Sequence, residues 1–149
     1  LGDYGEYLPT KLDMDEGEKP VFMRVQNSYP AGENFIFVFE NGDKYVGNFT
    51  DGDQSGIGTF TWSNGDVYVG HWKNNRQHGK GKFTSHNGDV YDGDWVDGLM
   101  EGQGVLRQAD GTKYKGGFRA GLKHGSGIQE DKDGNRFEGE FNEGERVIR

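Results

Sequence analysis

The stretch Asp51-Gly52-Asp53-Gln54-Ser55-Gly56 has the spacing that opens a calcium loop, with oxygen donors at alternate positions and a glycine for the turn. Such a loop needs a carboxylate six residues after that glycine, and Trp62 stands there. Asp131, Asp133 and Asn135 imitate the same pattern around Gly134, where a hairpin turn explains them better. The histidines, His71, His78, His86 and His124, match no zinc spacing. With no cysteine in the chain, thiolate ligands, thiol nucleophiles and disulfides are excluded. Gly-x-Gly pairs recur, but none leads into Gly-Lys-Ser/Thr or opens a helix, so none cradles a phosphate. Asn48-Phe49-Thr50 is a formal glycosylation sequon. Carboxylates are plentiful but evenly spaced and exposed, which gives no acid–base pair. The expectation is no catalytic residue, no metal site and no cofactor.

Charge narrows the partners. The chain of 149 residues carries a net charge of −8. Residues 1–44 contribute −5, 45–67 contribute −3, 68–90 contribute +3, 91–113 contribute −3, 114–136 contribute +2 and 137–149 contribute −2. No continuous basic stripe runs through this alternation, so nucleic acid is not an expected partner and lipid binding is expected to be weak or absent. Lys73, Arg76, Lys80 and Lys82 make the second block basic. They are the candidate contacts for a phosphate or an acidic peptide.

The elements that hold these residues follow from a period. Gly42, Gly65, Gly88, Gly111 and Gly134 recur at one fixed spacing, and Tyr45, Tyr68, Tyr91, Tyr114 and Phe137 recur at the same one. The first copy runs Tyr45, Gly47, Phe49, Gly52, Gly56, Gly58, Phe60, Gly65. The second runs Tyr68, Gly70, Trp72, Asn75, Gly79, Gly81, Phe83, Gly88. The third and fourth keep the register, with Leu106 and Gln129 at the seventh position. Eight positions held over four copies define a repeat array. Asn41-Gly42, Asn64-Gly65 and Asn87-Gly88, with Asp110-Gly111 and Asp133-Gly134, predict β-hairpins with type I′ turns. Only 31% of the residues are hydrophobic, against roughly 45–50% in a typical domain, so no thick aliphatic core forms.

Side chains alternate across a strand, so Tyr45, Gly47 and Phe49 share one face, while Val46 and Asn48 share the other, which is largely polar along the chain. The first face carries rings with glycines between them, where a neighbouring ring lies across the backbone. The predicted fold is all-β: an elongated, twisted antiparallel hairpin sheet with no helical layer. Roughly ten strands at about 4.8 Å give a length near 43 Å.

The run Tyr-x-Gly-x-Trp/Phe-x-x-Gly, then Gly-x-Gly, then a hairpin glycine resembles the MORN repeat over about residues 35–144. His78-Gly79 and His124-Gly125 match the family's His-Gly pair. Ser55 and Glu101 replace that histidine elsewhere, and Asn75 replaces a glycine. Gln129 replaces an apolar residue, which predicts poorer packing in the fourth hairpin. The resemblance implies a non-enzymatic scaffold with an aromatic groove, in a family that serves cytoskeletal and ciliary assemblies, motor-protein tails, membrane junctions and arms of larger enzymes. It also implies dimerisation through terminal repeats for some members.

The chain divides into an acidic segment 1–20, a degenerate capping unit 21–44, repeats 45–67, 68–90, 91–113 and 114–136, and a partial unit 137–149. We expect a protein partner, a helix or extended segment, along a groove of Tyr45, Phe49, Tyr68, Trp72, Tyr91, Trp95, Tyr114 and Phe118. The alternative functions are a phospholipid-binding module and a regulatory arm of an enzyme. An unpaired last strand near Phe137 and Phe141 is an expected edge for homodimerisation, unless residues 1–20 mask it. A chain without cysteine suits the cytoplasm, and the resemblance adds association with the cytoskeleton.

Overall fold

The computed structural model describes residues 21–24, 34–50 and 53–148. The segment 1–20 lies outside the described residues. Twelve strands form one antiparallel sheet in chain order. They are β1 (Val21–Arg24), β2 (Asn34–Val38), β3 (Lys44–Thr50), β4 (Asp53–Thr61), β5 (Val67–Lys73) and β6 (Arg76–Thr84). β7 (Val90–Val96), β8 (Leu99–Arg107), β9 (Lys113–Arg119), β10 (Leu122–Glu130), β11 (Arg136–Asn142) and β12 (Glu145–Arg146) complete it. No helix occurs among the described residues. Each repeat is one seven-residue and one nine-residue strand, and the fold is the all-β hairpin array that the period demands.

Register turns the repeat into rows across the sheet. Tyr45, Phe60, Tyr68, Phe83, Tyr91, Leu106, Tyr114, Gln129 and Phe137 stand opposite one another in succession. The paired glycines form the adjacent row, as in Gly58 against Gly70 and Gly81 against Gly93. Their absence of side chains is required by space. A Cβ on Gly58 would lie 2.2 Å from the Tyr45 hydroxyl, and one on Gly81 would lie 2.1 Å from that of Tyr68. The tyrosine rings therefore lie flat on glycine backbone.

The longer strand of each repeat bulges. Gly47 faces Gly58 and Phe49 faces Gln54, so Asn48 alone spans Ser55, Gly56 and Ile57. Asn48 Oδ1 accepts from the Ile57 N–H at 3.0 Å, and Asp94 Oδ2 from that of Gln103 at 2.9 Å. These side chains close the bulge, which satisfies backbone that the ladder leaves unpaired.

The turns differ from the expected type. Gly42, Gly65 and Gly88 have φ of 95°, 98° and 99°, but the asparagines before them do not take positive φ. Gly42 N–H donates to Phe39 O at 3.0 Å and Phe39 N–H to Asp43 O at 2.8 Å. This is a type I turn followed by a bulged glycine, so one left-handed residue suffices. Asn41 instead accepts the Asp43 N–H on its side-chain oxygen. The two-residue turns with positive φ at both positions are the other connections: Asn74-Asn75, Asp97-Gly98, Ala120-Gly121 and Glu143-Gly144.

Asn75 shows why an asparagine stands where its sister units have glycine. It holds a φ of 67°, accepts the Gln54 N–H on Oδ1 at 2.8 Å and donates from Nδ2 to Asp53 Oδ1 at 2.6 Å. Restoring the repeat's glycine relieves backbone strain but orphans a buried donor. We expect Asn75→Gly to lose about 1 kcal/mol in urea unfolding, since an unpaired buried group outweighs that relief. A gain in stability would contradict this assignment.

Candidate binding faces

The ring face is self-packed. Tyr68 stands edge-on between Trp72 and Trp95, each with its centroid 5.2 Å away, and Tyr91 likewise between Trp95 and Phe118. The Tyr45, Tyr68, Tyr91 and Tyr114 hydroxyls each donate at 2.8 Å to the carbonyl three residues on. Burial pushes all four phenols up, Tyr114 to about 12. The Trp72 and Trp95 indoles donate to Gly58 O and Gly81 O, so each tryptophan binds the unit before it. Tyr45, Tyr68, Trp72, Tyr91, Trp95, Tyr114 and Phe118 are all buried, the most exposed at 5%. Phe49, the eighth ring of the expected groove, is partly buried, as are Trp62 and Phe137. The structure thus brings the eight rings together, seven of them as core, and among the described residues the partly buried rings packed against that core are Phe49, Trp62 and Phe137.

A polar column runs through the same layer. Gln54, Gln77, Met100 and Lys123 occupy one position of successive repeats and all are buried. In the third repeat Met100 and Leu106 are apolar; in the fourth Lys123 and Gln129 replace them together. Lys123 Nζ donates to Gln129 Oε1 at 2.7 Å and lies 5.2 Å above the Tyr114 ring. Burial, with the Arg146 charge adding to it, lowers the Lys123 amine to about 8. Gln129, read from sequence as a weak point of the fourth hairpin, has a matched donor here. No pattern in either residue alone signals that pairing.

The four basic candidates separate. Lys80 forms an ion pair with Asp94, and Lys82 faces Asp92 in register. The Lys80 hydrogen bond, helped by the Gln103 N–H, holds the Asp94 carboxyl below its usual range. Lys73 and Arg76 face each other at the strand ends beside the Asn74-Asn75 turn. At the far edge, Phe141 is buried and packs on Tyr114 and Phe137. β12 pairs with β11 only through Phe141–Arg146 and Asn142–Glu145, with Val147 N–H reaching Glu140 O.

Acidic residues of the turns form a series that sequence reasoning missed. Asp43 Oδ1 accepts the Ser63 N–H at 2.7 Å, Asp66 Oδ1 that of His86 at 2.8 Å and Asp89 Oδ1 that of Ala109 at 2.8 Å. Burial opposes ionisation of Asp66, but bonds from His86 and Asn64 outweigh it and lower its carboxyl. At the opposite margin, Asn75, Gly98, Gly121 and Gly144 N–H groups donate to the carbonyls of Gln54, Gln77, Met100 and Lys123. The even recurrence of these residues is visible in the sequence; the direction of their bonds is not. Among the described residues no three His, Cys, Asp or Glu gather as metal ligands.

The family model described as MORN repeat matches residues 45–67, 68–90, 91–113 and 114–136. No curated protein matches the chain. Among solved structures, the SAS-4 (dCPAP) TCP domain of Drosophila melanogaster, in complex with a proline-rich motif of Ana2 (dSTIL), is 15% identical. That alignment covers 78% of this chain and 88% of that one at a TM-score of 0.36, too low to carry an argument about binding.

Proposed function

The chain belongs to the MORN-repeat family, and from this premise we propose a non-enzymatic scaffold that binds a protein segment, helical or extended, along its ring-bearing side. The observation that supports the reading is the unbroken ring layer, which gives a rigid platform through every repeat, with partly exposed Phe49, Trp62 and Phe137 at its margins. The buried rings hold the platform in shape; the marginal rings supply the contact, as aromatic side chains dominate interface energetics. This division makes the two classes of ring separable.

The test begins with a pull-down using the whole chain, followed by affinity measurements on the partner obtained. Trp62→Ala should keep the β-sheet spectrum and weaken the partner at least about tenfold, on the order of 1.4 kcal/mol. Trp72→Phe removes the bond to Gly58 O and should lower the melting temperature while leaving affinity at low temperature within about twofold. Unchanged binding in Trp62→Ala and Phe49→Ala together would leave the ring side a structural element only.

A further inference from the structure

The outer face, opposite the rings, changes character along the sheet. In β3 to β6 the strands carry a single carboxylate, Asp53, which is held by Asn75 at the strand start. The same strands carry Lys44, Lys73, Arg76, Lys80 and Lys82. This is an unusual stretch in a chain with a net charge of −8. Among the described acids of the flanking turns, Asp43, Asp66 and Asp89 are committed to backbone N–H groups.

The middle of this face is apolar. Val46, Thr59 and Val69 form one cross-strand row, and Ile57 stands in the next, opposite His71. Ile57 and Val69 are 57% and 46% exposed, two of the four large exposed hydrophobic residues among those described. Lys44 stands at one end of the patch, while Lys73 and Arg76 stand at the other. None of these three has an ion pair among the described residues, whereas Lys80 has Asp94 and Lys82 faces Asp92. From the Lys44 row to the Lys73 row is about six residues of strand, or about 20 Å. Beyond β6 the pattern ends: Asp92, Asp94, Glu138 and Glu140 bring carboxylates onto the same face.

We propose that the outer face of β3–β6 is a docking surface for an acidic protein segment with an apolar centre and carboxylates at both ends, spaced to match the two basic rows. Its apolar side chains cover Val46, Ile57 and Val69, and its carboxylates meet Lys44 at one end and Lys73 and Arg76 at the other. Charge complementarity selects this occupant. The acidic remainder of the chain repels a polyanion at long range, whereas a short segment meets only the local cations within a screening length of about 8–10 Å. This surface is independent of the ring side and stands or falls separately from the scaffold reading.

The test uses the whole chain with a labelled synthetic peptide bearing a Glu pair at each end of a Leu/Ile centre, the pairs separated by about 20 Å in extended form, and a counterpart with Lys for Glu. Amide shifts on titration should be confined to β3–β6 for the acidic peptide, and its affinity should exceed that of the Lys peptide by tenfold or more. Ile57→Glu with Val69→Glu should abolish that difference while the melting temperature holds, since both side chains are exposed. Lys73→Glu with Arg76→Glu should weaken the acidic peptide at least fivefold. Equal binding of both peptides, or shifts on the ring side, would overturn the proposal. So would phosphatidylserine vesicles sedimenting the chain through Ile57 and Val69 while the acidic peptide fails to bind, which would assign the face to a membrane.

Discussion

Gly81→Ala is expected to destabilise the chain by about 3 kcal/mol, at the upper end of what overpacking a core costs. The added methyl group would sit 2.1 Å from the Tyr68 hydroxyl and 2.3 Å from its ring. Something must move, and the ring has nowhere to go. Trp72 and Trp95 hold it edge-on from both sides, and its hydroxyl is bonded to His71 O. Displacing it breaks contacts in two repeats at once. Gly125→Ala is the control: its φ is +80°, yet a Cβ there meets nothing within 4 Å. That change carries only the left-handed backbone penalty of about 1–2 kcal/mol. Urea unfolding of both variants, with the β-sheet spectrum confirmed in each, separates steric from conformational glycines. Equal losses would mean that the tyrosine layer yields easily and that the glycine row is not required by packing.

The second large effect lies at Lys123 and Gln129. Lys123→Met with Gln129→Leu rebuilds the Met100–Leu106 pair of the preceding repeat and should stabilise the chain by about 1–3 kcal/mol, as replacing buried ionic groups by apolar ones often does. Gln129→Leu alone should cost about 2 kcal/mol, because it leaves a buried amine without its acceptor. The parent chain also carries a pH signature. The Lys123 amine is lowered from its ordinary 10.5 to about 8 in the folded state. Between pH 8 and 10.5 the unfolded chain therefore binds the proton and the folded chain does not, so stability rises with pH, by about 3 kcal/mol at most. The tyrosines act oppositely. Their raised values mean that stability is full below pH 10 and is lost above it, as the unfolded chain ionises first. Stability should thus peak near pH 9–10 and fall beyond it. In the double variant the rise should vanish while the fall remains; a rise that persists would place its origin elsewhere.

The period, the strand faces and the glycine row can all be read from spacing, because a repeat constrains many positions at once. What spacing leaves open is informative. It places Tyr68 and Trp72 on one face, but whether that face lies open depends on how closely the rings of successive units meet, which only packing decides. Asn-Gly pairs signal a hairpin yet fit both a type I′ turn and a type I turn with a bulged glycine; the Asn41 side-chain bond to Asp43 belongs to the second. Lys123 and Gln129 look like separate departures until the bulge in β10 lets the lysine reach along its own strand to the amide. The outer face reads as largely polar along each strand, and its apolar centre at Val46, Ile57 and Val69 emerges only when register aligns three strands.

The bonds along the sheet margins have a direction in time as well as in space. Ser63, His86 and Ala109 donate backwards to Asp43, Asp66 and Asp89, and Asn75, Gly98, Gly121 and Gly144 donate backwards to carbonyls of the unit before. Each repeat therefore presents ready acceptors to a successor that has yet to leave the ribosome. Chains are made from the amino terminus, at roughly 5–20 residues per second, so a new repeat emerges every few seconds. Each docks on the unit before it and in turn completes that unit, as Asn75 takes the Gln54 N–H and Trp95 closes the far side of Tyr68. Such a molecule can be laid down in the order in which it is translated, one hairpin at a time.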